Sequence, residues 1–383
     1  MSLAHVAMSR FEGRGGSETF LAIEAPAGLD FAAQVRAVEQ AYDDARGKYG
    51  LVAGSAVFRR VFLSDVLNQN AHLRDSVLTH SPADDPVAVS VVQQPPLSGA
   101  KIAMLAYHVE GGDVRKRRMG DSHVVVEKNG LRHLWSTGLC AGNADGQADA
   151  AGQTRAVFER LTEGLGALGG SLCDECVRTW IYLKDIDLFY RSMVDSRIEV
   201  FDRYGLTAET HYLASTGIEG ACEHQFDVMT MDAYSVLGLA PEQMSFLNDF
   251  ECMCPTRAYG VTFERGTRIA YADRSHHFIS GTASIDSAGR VVHRGDPLAQ
   301  LDRALFNVDA ILRSGQGSLA DLQYLLVYLR DPSDAPQIRQ HLRTLVGDLP
   351  VLIVQGAVCR PEWLVEVEGV AISAHDQPHL PGF

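Results

Sequence analysis

One pattern recurs three times along this chain of 383 residues and limits its fold more than any composition figure. Asp30-Phe-Ala-Ala-Gln34 leads a helical stretch and then Phe58-Arg-Arg-Val-Phe-Leu-Ser-Asp65. Asp149-Ala-Ala-Gly-Gln153 leads another and then Val177-Arg-Thr-Trp-Ile-Tyr-Leu-Lys-Asp185. Asp296-Pro-Leu-Ala-Gln300 leads a third and then Leu325-Leu-Val-Tyr-Leu-Arg-Asp331. The Gln-to-Asp spacings are 31, 32 and 31 residues, a period that marks a repeated supersecondary unit.

The spacing of apolar residues predicts a helix in each copy. Phe31, Val35, Val38 and Tyr42 share one helical face, as do Val157, Leu161, Leu165 and Leu168, and then Leu301, Leu305, Val308 and Leu312. A glycine turn follows each helix (Gly50, Gly169-Gly170, Gly315-Gln-Gly317), and the next run is rich in β-branched and aromatic residues, as a strand should be. Phe20-Leu-Ala-Ile, Leu134-Trp-Ser-Thr-Gly and Phe278-Ile-Ser-Gly-Thr-Ala-Ser-Ile precede the helices as further apolar runs. Closing strands are expected from Lys101 to Val109, Gln225 to Asp232 and Leu364 to Ala371. Each unit thus reads strand, helix, strand, short helix, strand. Such a sheet carries helices on one side only, so its other face must be covered, and two sister units can supply the cover. The expected class is α/β (α+β), with modules at 1–119, 120–250 and 251–383. The boundaries rest on the Gly- and Arg-rich stretch near 111–120 and on Pro241 and Pro255.

A hydrophobic share of 46% with 21% charged residues is that of a folded chain with room for two or three cores. The net charge of -14 argues against general nucleic-acid binding, which depends on neutralising phosphates. Arg115, Lys116, Arg117 and Arg118 break that trend and read as a solvated linker ahead of an anion or RNA patch. Seven scattered cysteines form no disulfide framework, and the N-terminal residues lack a continuous apolar region, so a cytoplasmic protein with reduced thiols and no membrane partner is expected.

The repeated unit resembles the Rid family, also known as YjgF or endoribonuclease L-PSP, whose members are homotrimers with active sites at subunit interfaces. That resemblance implies three Rid-like (chorismate-mutase-like) modules folded into an intramolecular pseudo-trimer. Rid deaminases carry Pro-x-Arg at the start of a late strand, where the guanidinium pairs with a substrate carboxylate. Here Pro350-Val351-Leu352 and Pro86-Val87-Ala88 lack the arginine, as does His211-Tyr-Leu-Ala-Ser-Thr-Gly217.

The chain is also similar to the chorismatases, fused Rid-like enzymes that release pyruvate from chorismate. The residues carrying this are Arg178-Thr179-Trp180 with Tyr182, Tyr190-Arg191 with Arg197, Ala214-Ser-Thr-Gly217-Ile218, and Tyr259-Gly260 with Arg268. Gly281, within Phe278-Ile-Ser-Gly-Thr-Ala-Ser-Ile285, and Cys359 with Leu364-Val-Glu366-Val-Glu368-Gly369 complete the set. Where that group has Tyr-Gly-Pro-Arg, this chain has Tyr259-Gly260-Val261-Thr262 and places Arg265 later.

Strand alternation puts Glu366 and Glu368 on one face about 7 Å apart. Like charge and partial burial raise the pKa of at least one such carboxyl, as a general acid working near neutrality requires. Only the third repeat has the pair: the first reads Ile102-Ala-Met-Leu105 and the second Val228-Met-Thr-Met-Asp232. The chorismatase resemblance implies Glu366 as proton donor, Arg178, Arg197 and Arg268 for substrate carboxylates, and Tyr259 as a hydrogen-bond donor. It also implies that Gly281, Cys359 and Glu368 shape the pocket. A small-molecule carboxylate substrate, no metal or organic cofactor, and a monomer or weak homodimer follow from it. A Rid-type imine or enamine hydrolase and a non-enzymatic metabolite binder are the alternatives. Cys359 has no neighbouring base in sequence and reads as a buried thiol. Cys173-Asp-Glu-Cys176 lacks a second pair for zinc and reads as packing at a strand entry, and His276-His277 read as a polar turn. No GxxxxGK[ST], HExxH or GxSxG motif is present, and no GxGxxG opens a helix.

Overall fold

The computed structural model describes residues 4–143 and 146–383. These described residues form a mixed α+β fold with three mixed sheets and seven α-helices among them. In the first sheet a hairpin of β1 (His5–Gly13) and β2 (Gly16–Glu24) leads to α1 (Phe31–Tyr49), β3 (Ala56–Leu63), α2 (Val66–Gln69), β4 (Ala88–Gln93) and β5 (Ile102–Val109). The strand order is β1-β2-β5-β3-β4, with only the β3/β4 pair parallel.

The second sheet holds β6 (Arg115–Met119), β7 (His123–Lys128), β8 (Leu131–Cys140), β9 (Cys176–Leu183), β10 (Ala214–Glu219) and β11 (Met229–Leu237). Its helices are α3 (Ala150–Gly166), α4 (Leu172–Glu175) and α5 (Ile186–Arg203), and its order is β10-β9-β11-β8-β7-β6. The third sheet, ordered β12-β13-β14-β17-β15-β16, contains β12 (Met244–Leu247), β13 (Gly266–Ala270), β14 (Arg274–Ala283), β15 (Leu322–Leu329), β16 (Val351–Gln355) and β17 (Val365–Ala374). Its helices are α6 (Pro297–Ser314) and α7 (Ala335–Val346).

The recurring Asp-x-x-x-Gln has a physical explanation in this structure. Asp30, Asp149 and Asp296 are N-caps, each accepting from the backbone N–H three residues on, at 2.8, 2.7 and 3.0 Å. Gln34, Gln153 and Gln300 are buried and tie the helix to the chain entering the closing strand. Their Oε1 atoms accept from the N–H of Lys101 (2.7 Å), Val228 (2.8 Å) and Leu364 (2.8 Å). Their Nε2 atoms donate to backbone carbonyls. Removing one would orphan a buried N–H at a cost of about 1–3 kcal/mol.

The three sheets share one apolar interior to which each contributes aromatic rings, including Phe20, Phe58, Tyr107, Trp135, Trp180, Tyr234, Phe278 and Tyr324. Each pair of sheets is joined by backbone hydrogen bonds. Gln93 N–H donates to Ala221 C=O (2.8 Å), Glu219 N–H to Ala357 C=O (3.1 Å), and Leu97 N–H to Ile353 C=O (2.9 Å). These close approaches define three seams.

The strand pairing corrects three sequence expectations. Arg115–Arg118 is not a linker but most of the edge strand β6, whose backbone pairs with β7 while its mostly exposed side chains reach acidic or polar neighbours. Lys116 reaches back to Ala56 C=O (2.8 Å) and Asp85. The second sheet therefore begins before residue 119, and β12 brings residues before 250 into the third. The closing strand expected at Gln225–Asp232 runs instead over Met229–Leu237, since residues 220–228 form a turn. His276-His277 are no turn either; both lie buried in β14.

Candidate active site

Glu366 and Glu368 leave β17 on the same face, directed at the seam with the second sheet. In register, Glu366 stands opposite Tyr328 of β15 and Ala283 of β14, and Glu368 opposite Leu326. Beside them the β14 ladder is broken between Ile279 and Thr282, and this bulge presents Gly281. The edge strand β10 closes the seam: Ser215 N–H donates to Ser280 Oγ (2.9 Å) and Gly281 N–H to Thr216 Oγ1 (2.8 Å).

The two acids have different fates. Glu368 is saturated: Arg178 Nη2 lies at 2.7 Å, Tyr328 hydroxyl donates at 3.0 Å, Thr216 hydroxyl donates, and Arg60 Nη1 is 3.7 Å away. Arg60 comes from the first sheet, bonds Asp232 of the second (3.2 Å) and lies over the Trp180 ring, so residues of all three sheets meet at this carboxylate. Glu366, only 6% exposed, has no donor among the described residues. Burial, reinforced by the Glu368 charge, pushes its carboxyl up to about 8, while Arg265 and Arg178 oppose the rise. Gly281 makes room for it, since a Cβ there would lie 2.4 Å from Glu366 Oε1.

Arg265 acts on Glu366 directly and Arg197 lies against its neighbour Cys359, and both are buried cations with unused donors. Arg197, on α5, is 2% exposed, and its Nε and Nη2 have no hydrogen-bond partner among the described residues. Arg265 donates to Tyr259 hydroxyl (2.9 Å) and Cys254 C=O (3.3 Å), and its Nε is likewise unpartnered. Burial pushes the Tyr259 phenol and the Cys359 thiol each up to about 12. Tyr190 lies against Cys359, and Arg360 covers the Tyr259 ring at 4.7 Å. Cys359 therefore stays a neutral thiol at neutral pH, unsuited to nucleophilic attack. Such a set can hold a proton on Glu366 and offers unpaired guanidinium N–H groups to an anion.

Glu366, Glu368, Gly281, Cys359, Tyr259, Arg178 and Arg197 are thus gathered at one seam, but two arginines differ from expectation. Arg178 is committed to Glu368, Thr216 and backbone carbonyls, which leaves it as the floor of the site. Arg268 lies elsewhere, donating to Ser275 Oγ (3.1 Å) and meeting His375 (3.4 Å). The inward cation is Arg265, three residues earlier; an odd step along extended chain turns a side chain to the opposite face. The sequence signals for the missed residues were an arginine displaced along the Tyr259 segment and the pair Arg59-Arg60 inside an apolar strand. Cys173 faces His211 (3.6 Å) whereas Cys176 is buried, so the CxxC pair does not converge. An enclosed aromatic-walled cavity of about 30 Å³, between Glu18, Trp135, Tyr234 and His276, has room for water but not for a metabolite.

No family model matches the chain. Over 96 residues it is 33% identical to 3-aminoacrylate deaminase RutC of Acinetobacter baylyi, an alignment covering 24% of this chain and 76% of that protein. The chain belongs to the Rid superfamily. It is also 27% identical over 260 residues to 3-hydroxybenzoate synthase of Streptomyces hygroscopicus, covering 61% of this chain and 73% of the relative. The crystal structure of a chorismatase overlays 97% of this Rid chain and 99% of its own, with a TM-score of 0.65 at 18% identity, so the two share a fold. Among the described residues no helix is long and apolar enough to cross a membrane.

Proposed function

We propose that this Rid protein is a chorismatase-like enzyme that releases pyruvate from chorismate or a related cyclic enolpyruvyl acid by acid catalysis. The observation carrying the proposal is Glu366, protonated near neutrality and without a hydrogen-bond partner among the described residues, near Arg265 and next to Cys359, against which Arg197 lies with unpaired donors. The 3-hydroxybenzoate synthase relative supports the substrate class. Glu366 delivers its proton to the terminal methylene of the enol ether, forming a C–H bond and an oxocarbenium centre at the ether carbon. Water adds to that carbon and returns a proton to the Glu366 carboxylate. The hemiketal then breaks its C–O bond as its hydroxyl proton passes to the departing ring oxygen, leaving pyruvate and the ring alcohol. Arg197 and Arg265 hold the substrate carboxylates, Tyr259 adds a hydrogen bond, and Glu368, fixed by Arg178, keeps the Glu366 carboxyl protonated.

Incubation with chorismate and a coupled pyruvate assay tests this. Turnover that falls by roughly 100- to 10,000-fold in Glu366→Gln is expected for a lost general acid. No pyruvate from either protein overturns the proposal, and chorismate bound without turnover favours a metabolite binder. The RutC relative favours a second reading, an enamine hydrolase, in which the same acid protonates an enamine carbon and water releases ammonia. Ammonia release from 3-aminoacrylate, without pyruvate from chorismate, would select it.

The three sheets are, in this reading, three Rid-like modules of an intramolecular pseudo-trimer. Their common strand pattern, their shared Asp cap and Gln tie, and the three bonded seams support this. A chain closed in this way is expected to act as a cytoplasmic monomer or weak homodimer on a small carboxylate, without a cofactor. Light scattering on the purified protein checks the oligomeric state.

A further inference from the structure

On the seam between the first and second sheets, a group of side chains outside the proposed reaction has the composition of a metal centre. Cys140 ends β8, while His224 and Asp227 lie in the turn before β11. Their ligand atoms, one from each residue, all lie within 4.8 Å of one another. Asp227 is 1% exposed; its Oδ1 accepts from Asn143 N–H (3.0 Å), and its Oδ2 is buried with no hydrogen-bond partner among the described residues. A buried carboxylate oxygen left unpaired is costly unless something cationic completes it. Cys222 adjoins the group, its thiol close enough to His224 C=O for a long contact of 3.9 Å.

We propose that Cys140, His224 and Asp227 bind a Zn²⁺ ion. One sulfur, one imidazole nitrogen and one carboxylate oxygen form a mixed donor set that suits a borderline-soft cation. Mg²⁺ and Ca²⁺ select oxygen ligands instead. Three protein ligands leave a fourth position for water or the neighbouring Cys222, and the exposed side of His224 gives the ion a route in. Binding releases the Cys140 proton, because only the thiolate ligates, so affinity rises with pH. The ion would pin the 222–227 turn to the end of β8. Ala221, just before that turn, accepts from Gln93 N–H of the first sheet, and the turn itself meets that sheet through the Asn70–Glu223 side-chain hydrogen bond.

The test uses the full chain, stripped with a chelator and titrated with Co²⁺ as a spectroscopic substitute. One equivalent should raise a near-ultraviolet thiolate-to-cobalt charge-transfer band, which Zn²⁺ then abolishes, and Zn²⁺ should raise the melting temperature. His224 is exposed, so His224→Ala should fold normally, weaken Zn²⁺ binding by roughly tenfold or more, and leave turnover at the Glu366 site unchanged. Asp227→Asn should act likewise on the metal. Cys173→Ser, which removes the separate Cys173–His211 pair, should keep the band. No band in the full chain overturns the proposal, as does a band that survives both His224→Ala and Asp227→Asn or disappears in Cys173→Ser.

Discussion

On the seam between the first and third sheets, Glu18 is fully buried and satisfied. It accepts from Arg274 Nη1 (2.7 Å) and the Tyr107 hydroxyl, and lies 2.9 Å from His276 Nε2. On the seam between the second and third sheets, Glu366 is almost as deeply buried and has no donor among the described residues. Burial raises the pKa of both acids, but at Glu18 His276 and Arg274 outweigh it and leave the carboxyl below its usual value. At Glu366 burial wins, with Glu368 adding to it. A fold can therefore bury an acid as a clamp or as a held proton, and the difference lies in where the cations are committed. Arg274 serves Glu18 and Asp273, whereas Arg178 serves Glu368 and passes Glu366 by. Arg197 has no acidic partner at all among the described residues.

The largest effect should come from breaking the clamp. Arg274→Met leaves Glu18 without its cation and should cost about 3–5 kcal/mol in urea unfolding. Glu366→Gln on the other seam should cost nothing, and equal losses would erase the contrast between the two seams. Gly281→Ala places a methyl group against the Glu366 carboxyl and should lower kcat roughly 100-fold, with thermal scans showing a folded protein. Arg197→Leu should raise KM by roughly 10- to 100-fold, the worth of a charge-assisted hydrogen bond. The variant should melt no lower than the parent, because it loses a buried cation that nothing pairs. A marked fall in melting temperature would mean that Arg197 is structural.

The remaining effects concern pH. If Glu366 is the acid, turnover should fall as pH rises through about 8, where it loses its proton. Its folded-state value lies above the unfolded one, so between about 4.5 and 8 the folded chain holds a proton that the unfolded chain has released. This contribution leaves stability undiminished below that window, lowers it through the window and is level above it. Glu366→Gln lacks the decline, so its melting temperature should match the parent near pH 4.5 and exceed it by several degrees at pH 8. A constant gap across that range would mean that Glu366 titrates normally.

Much of the fold was legible because its signals are local. The apolar stripes, the glycine turns and the Asp caps act within a few residues, and the Gln ties recur because each copy joins its own helix to its own closing strand. β6 was misread since a short edge strand with charged residues on both faces carries no apolar alternation. β11 was displaced because the apolar run continues past Asp232 to Leu237, and only the pairing with β8 and β9 decides which part is ladder.

Three things were readable from sequence: strand alternation puts Glu366 and Glu368 on one face, comparison of the copies shows that one alone carries the pair, and the repeat spacing shows that three similar units follow one another. Which carboxylate would be neutralised was decided only by tertiary structure, because Arg178 stands 190 residues from Glu368 and Arg60 arrives from another sheet. The choice of Arg265 over Arg268 belongs there too. Charges act through space, across seams whose two sides are far apart along the chain, and periodicity within one segment carries no information about what faces it.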